Sequence, residues 1–173
     1  LVYASSSWLF ADVSSGSVSA NPSQDIQITF DATDLFGGEY LANIMISSND
    51  PDEGEVAVPV SLSVTGIPLI NVSPENLNFG EVFVDGTNTE LLIITNVGTE
   101  ILSVSNLGSS HPYFIVGSTS FTLNPDESYS LDVSFSPISA GYQEGVLTIY
   151  SNDLDNPEVN VTMTGTSVIA PDI

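Results

Sequence analysis

Two clusters of carboxylates stand in matching surroundings: Asp50-Pro51-Asp52 followed by Glu55, and Asp153-Leu154-Asp155 followed by Glu158. Oxygen ligands at alternate positions suit a hard cation. Asp50, Asp52, Glu55, Asp153, Asp155 and Glu158 are therefore candidate Ca²⁺ ligands, and Ca²⁺ is the one cofactor the sequence brings forward. The expected consequence is a higher melting temperature in Ca²⁺ than in chelator. The pattern is not an EF-hand, because Gly54 is fifth rather than sixth from Asp50 and Ser61 stands where the closing Glu belongs. Asn-Asp-Pro also makes turns by itself, since short polar side chains satisfy nearby amides and proline presets φ.

Other chemistry is sparsely supplied. His111 is the only histidine, in a polar SSHPY stretch, and with no GxSxG elbow it reads as a loop residue. With 0 Cys and 1 His there is no zinc set. Carboxylate pairs can hydrolyse glycosides, but these lie in turns, with no surrounding apolar pattern to raise one pKa. No catalytic residues are assigned, and the chain reads as not an enzyme. Asn71-Val72-Ser73 and Asn160-Val161-Thr162 match the N-glycosylation sequon. Trp8, Phe10, Tyr40, Tyr113, Phe114, Tyr142 and Tyr150 are expected mostly in cores or between units. Tyr150, out of phase with Leu147 and Ile149, is the exception to look for on the surface.

The elements that position these residues are set by composition and periodicity. The 173 residues hold 42% hydrophobic side chains, enough for genuine cores. Lys+Arg is 0 against 22 Asp+Glu, a formal charge of −22, yet charged residues total only 13%. Average domains carry roughly 25%, so the bases are missing rather than the acids added. Without Lys or Arg there is no counterion release from a phosphate backbone, which excludes nucleic acid, and anionic membrane surfaces repel the chain. Side-chain ion pairs are restricted to His111. No apolar run reaches the ~20 residues of a membrane span, and LVYASSSWLF lacks a basic leader region, so any targeting segment is expected outside these residues. The absence of disulfides is compatible with a bacterial surface protein.

Residues 5–66 can be laid over residues 109–166. Asn21-Pro22 matches Asn124-Pro125, Ile26-Ile28-Phe30 matches Leu131-Val133-Phe135, and Gly38-Glu39-Tyr40 falls near Gly141-Tyr142. Ser48-Asn49-Asp50 matches Ser151-Asn152-Asp153, and Thr65-Gly66 is laid on Thr164-Gly165. Apolar residues recur at every second position, as in Val56, Val58, Val60, Leu62 and Val64, the period of half-buried strands. Pro59 has no amide hydrogen and predicts an edge strand or an outward-facing position. Turn clusters at about 8–12-residue spacing point to a sandwich. The fold class is therefore all-β, with tandem immunoglobulin-like β-sandwich units: 1–66 an incomplete unit, 67–167 a complete one, and 168–173 the start of a connector or further unit. A connector is expected around Gly66-Ile67-Pro68. Strands missing from 1–66 are either cut from a longer array or supplied by another chain.

LNFGEVFVDG (77–86), LLIITNVGTEILSVSNL (91–107) and FSPISAGYQEGVLTIYSNDLDNPEVNVTMTGT (135–166) resemble the bacterial choice-of-anchor D repeat. That repeat is related to the hydin-type and major-sperm-protein-like immunoglobulin folds. WLFADVSSGSV, ITFDAT and SSNDPDEGEVAVPVSLSVTG, within 8–66, resemble the C-terminal part of a similar unit. The resemblance implies tandem sandwiches of roughly seven strands, used as spacer, stalk or adhesive module, and transfers no catalytic residues. The absence of Lys and Arg departs from typical members. The expectation is a structural or adhesive segment of a secreted or cell-surface protein, assembling head-to-tail with copies of itself or neighbouring units. The alternative is a glycan-binding accessory module of a secreted hydrolase.

Overall fold

The computed structural model describes residues 2–4, 6–20, 22–117 and 120–171. Asn21 of the Asn-Pro match and Asp172-Ile173 of the final segment lie outside them. The described residues contain fourteen strands and no helix, so the fold is all-β. The chain divides into two compact units, Leu1–Thr65 and Gly66–Ile173.

The second unit is a sandwich built from β6 (Ile70–Ser73), β7 (Asn76–Phe83), β8 (Asn88–Asn96), β9 (Leu102–Ser109), β10 (Phe114–Val116), β11 (Phe121–Leu123), β12 (Ser128–Phe135), β13 (Gly141–Ser151) and β14 (Glu158–Val168). One sheet has the order β10-β12-β8-β6, the other β11-β9-β13-β14-β7. The chain changes sheets between β6 and β7, so that β6 pairs antiparallel with β8 while β7 runs parallel to β14. Alternate residues from both sheets meet in one core: Leu92 and Ile94, Leu102 and Val104, Leu131, Val133 and Phe135, Leu147 and Ile149, Val161 and Met163. Phe135 stacks on Phe114, and Phe79 packs against both rings. A Cβ at Gly165 would stand 2.6 Å from the Phe135 ring, so the ring lies where only glycine leaves room. On the outer face, hydroxyl pairs do the cross-strand work that charges do elsewhere: Thr87 with Ser136, Thr89 with Ser134 and Thr95 with Ser128, at 2.8–2.9 Å.

The first unit contains β1 (Val2–Ala4), β2 (Leu9–Ala11), β3 (Ile28–Phe30), β4 (Gly38–Ser47) and β5 (Glu55–Val64), in sheets ordered β1-β4-β5 and β2-β3. Pro59 lies on β5, the outermost strand of its sheet, where a missing donor removes no ladder bond from a neighbour beyond.

The pairing registers of the two units coincide. Val2 stands opposite Ile46 and Ala4 opposite Ile44, as Leu107 stands opposite Ile149 and Ser109 opposite Leu147. Leu9 faces Phe30 as Phe114 faces Phe135. Gly38 faces Val64 as Gly141 faces Ser167, and both glycines have positive φ. Strands β1 to β5 thus correspond to the end of β9, then β10, β12, β13 and β14. Counterparts of β6, β7, β8 and β11 are absent from the described residues of the first unit.

Register also corrects one of the sequence matches and sharpens another. Leu62 faces Tyr40 while Gly165 faces Gln143, so Gly165 corresponds to Leu62 and the Thr65-Gly66 match slips by four residues. Tyr40 corresponds to Gln143, not Tyr142. A shift of one residue reverses the face, so Tyr40 packs edge-on against Trp8 while Tyr142 points outward.

The Ser-Asn-Asp turns as candidate functional site

Each candidate cluster sits in the turn of the long hairpin that closes its unit. Serine opens both turns: Ser48 accepts the Asp50 amide on Oγ at 3.0 Å, and Ser151 accepts the Asp153 amide at 3.3 Å. The aspartate follows as an Asx turn. Asp50 Oδ1 accepts the Asp52 and Glu53 amides at 2.9 and 3.3 Å; Asp153 Oδ1 accepts those of Asp155 and Asn156 at 2.9 and 3.0 Å. Main-chain bonds Ser48 to Gly54 and Ser151 to Pro157 complete the loops.

The turns differ in what lies beyond them. In the second unit the Asn152 side chain clamps the start of β9, accepting the Ser103 amide at 2.7 Å and donating to the Ile101 carbonyl at 3.1 Å. Asp153 Oδ2 accepts the Ile70 amide at 2.9 Å and so fastens β6 to the turn. The Asp153 side chain is 1% exposed. Burial works against its ionisation, but the amides of Ile70, Asn156 and Asp155, with the Asn156 side chain, outweigh it and hold the carboxyl below the ordinary aspartate range. In the first unit Asn49 has no hydrogen-bond partner on its side chain, and Asp50 bonds only within its own turn.

As a cation site the clusters are dispersed. Glu55 and Glu158 each open a strand, paired with Ser47 and Tyr150, and Glu158 accepts a bond from Asn160 at 3.0 Å. Asp52 and Asp155 bring their main-chain amides, not their carboxylates, to the preceding aspartate. Among the described residues no three His, Cys, Asp or Glu side chains converge as a metal would require. His111 is held by the Tyr113 amide on Nδ1 and lies edge-on to the Tyr113 and Phe114 rings.

The aromatics divide. Trp8 and Phe114 are buried and Tyr40 and Tyr113 half-buried, whereas Phe10, Tyr142 and Tyr150 are exposed. Phe10 and Tyr142 lie outside the cores of their own units: Leu9 and Ala11 carry the inward phase of β2, and Gly145, Leu147 and Ile149 that of β13. The sequon asparagines Asn71 and Asn160 are also exposed, though Asn160 is engaged by Thr148 and Glu158.

Two clamps carried no separate sequence signal. Asn152 is one. The other is Asn96, fully buried, which donates to the Glu100 and Leu123 carbonyls and accepts the Gly98 amide. The Asn-Val-Gly that begins with the last residue of β8 marks a turn, but not a side chain directed inward.

The second unit, with its first strand divided between the two sheets and every clamp closed on a neighbouring strand, is an immunoglobulin-like sandwich of the ASH/PapD kind. It resembles PapD-like domain 7 of human CEP192 at TM-score 0.53 and 15% identity, over 59% of this chain and 87% of that one. A Porphyromonas gingivalis W83 protein of unknown function is similar over 95% of this chain and 84% of its own, at TM-score 0.51 and 16% identity. No curated protein matches the sequence. Residues 68–166 match the HYDIN/CFA65/VesB-like Ig-like domain, and the chain belongs to that hydin-type family.

Proposed function

We propose that this chain is a non-enzymatic structural and adhesive segment of a secreted or cell-surface protein, whose immunoglobulin-like units join neighbouring units or further copies head-to-tail. One observation carries the reading: the complete second unit leaves apolar side chains on the outer face of one sheet, with Leu91 and Ile93 of β8 and Ile115 of β10 48%, 41% and 52% exposed. Exposed apolar surface on a sheet with open edges favours association with another polypeptide. With no bases, the chain holds partners through strand edges and apolar side chains rather than ion pairs.

Size-exclusion chromatography with light scattering over a hundredfold concentration range tests this. Concentration-dependent oligomers, or fibres in electron micrographs, support assembly; a monomer at every concentration rejects it. A second reading, a glycan-binding accessory module, is favoured by Tyr142 and Tyr150, 63% and 41% exposed on the same outward face of β13. Retardation on a polysaccharide affinity gel that is lost in the Tyr142→Ala/Tyr150→Ala double variant would select it.

A further inference from the structure

Both strands of the second unit's closing hairpin lie inside their sheet, β13 between β9 and β14, and β14 between β13 and β7. Their main-chain groups are therefore engaged, and the outer face of this ribbon meets solvent through side chains alone. Tyr142 and Tyr150 stand near its two ends, 63% and 41% exposed and about 26 Å apart along the strand. Each has a carboxylate beside it. The Tyr142 hydroxyl donates to Glu144 at 3.4 Å, and Tyr150 is the cross-strand partner of Glu158. Between the two pairs the face carries the hydroxyls of Thr148, Thr162 and Thr164 and the amide of Asn160. Lys+Arg is 0, so nothing in the chain neutralises either carboxylate; Glu158 accepts a bond from Asn160 at 3.0 Å.

We propose that this face binds a cationic amino-sugar glycan, with Tyr142 and Tyr150 as stacking platforms and Glu144 and Glu158 receiving the sugar ammonium groups. The inference deepens the glycan-binding reading, on which it rests, by naming the class of glycan. An extended peptide finds no free strand edge to pair with here. Pyranose rings stack on aromatic faces, and their hydroxyls suit the small polar side chains between the tyrosines. Charge then selects among glycans. Uronic and sulfated sugars are repelled by a protein of net charge −22, and a neutral sugar leaves both carboxylates unused. An ammonium group set against a tyrosine ring and a carboxylate gains from both, by cation–π attraction and a charge-assisted hydrogen bond. A second copy of this chain brings no such cation, so its place is the apolar face of β8 and β10 rather than this one.

The test is titration of the full chain into fluorescently labelled glucosamine hexamer in about 0.15 M salt, followed by anisotropy, with N-acetylglucosamine hexamer and hexalysine as comparison probes. Saturable binding of the glucosamine hexamer below about 1 mM, at least tenfold tighter than either comparison probe, is expected. Glu144→Gln/Glu158→Gln weakens it about tenfold, and Tyr142→Ala/Tyr150→Ala abolishes it. Glu53→Gln/Glu75→Gln removes the same charge from exposed positions elsewhere and leaves the affinity within about twofold of wild type. Calorimetry of the second unit's transition shows that each variant is folded. Equal affinity for hexalysine, equal weakening in Glu53→Gln/Glu75→Gln, or no saturable binding overturns the proposal. If the acetylated hexamer binds equally well and both hexamers are lost in the tyrosine variant, the ammonium assignment falls and the glycan-binding reading stands. If neither hexamer binds, the proposal falls and the polysaccharide gel decides the broader reading by itself.

Discussion

Replacing Asp153 by Ala withdraws the acceptor from three main-chain amides at once. The Ile70 amide is partly buried between β6 and the turn, at 2.9 Å from Oδ2. Leaving such a donor unsatisfied costs about 1–3 kcal/mol. The amides of Asp155 and Asn156 lie in an exposed turn and recover water, adding about 1 kcal/mol together. The total is about 3 kcal/mol, and for a unit of roughly 100 residues this lowers Tm by about 12 °C. Differential scanning calorimetry of wild type and Asp153→Ala reads the second unit's transition, while Trp8 fluorescence shows the first unit's transition unmoved. Asp50→Ala is the matched control, because Asp50 holds only its turn; it affects the first unit by about 1 kcal/mol or less. Acid should have the same effect as the substitution. Since the folded pKa of Asp153 is depressed, its contribution is complete above the unfolded value near pH 4 and disappears as the pH falls through the folded value. The Asp153→Ala variant should lack this component of the acid transition. A Tm within 2 °C of wild type would refute the clasp between the turn and β6.

Three further outcomes follow from packing and from the turns. Gly165→Ala drives a methyl group into the Phe135 ring and destabilises the second unit by about 1–3 kcal/mol in denaturant titrations. Phe135→Ala costs about 3–5 kcal/mol, whereas Phe30→Ala, at the matched but open position beside Trp8, costs about 1 kcal/mol; equal losses would contradict the difference in cover. Exchange of Mg²⁺ for Ca²⁺ at equal concentration leaves both transitions within about 1 °C, because the turn aspartates already accept main-chain amides; a Ca²⁺-specific rise would restore the six carboxylates as ligands.

Much of the fold was legible because strand burial has period two. Alternation in Ile26-Ile28-Phe30, in Leu131-Val133-Phe135 and along β13 and β14 placed these residues on inner faces. The Asn-Asp turns marked where the long hairpins reverse. The tyrosines were harder, because Tyr40 and Tyr142 are displaced by one position in the true register, and only pairing with the neighbouring strand decides that. The candidate carboxylates are hard to read for a related reason. Acidic side chains around a turn look alike whether they hold a cation or backbone amides, and the decisive partners of Asp153 and Asn152, Ile70 and Ser103, lie 83 and 49 residues away. No local pattern encodes such distances.

The two units share one pairing scheme, but the closing strand of each is placed differently: β14 lies between β13 and β7, whereas among the described residues β5 pairs with β4 alone. Residue-resolved hydrogen exchange of β5 and β14 measures the difference. Alternate amides of β5 are expected to exchange at least a hundredfold faster than their β14 counterparts. Equal protection of Val58 and Val161, and of their neighbours along both strands, would contradict it.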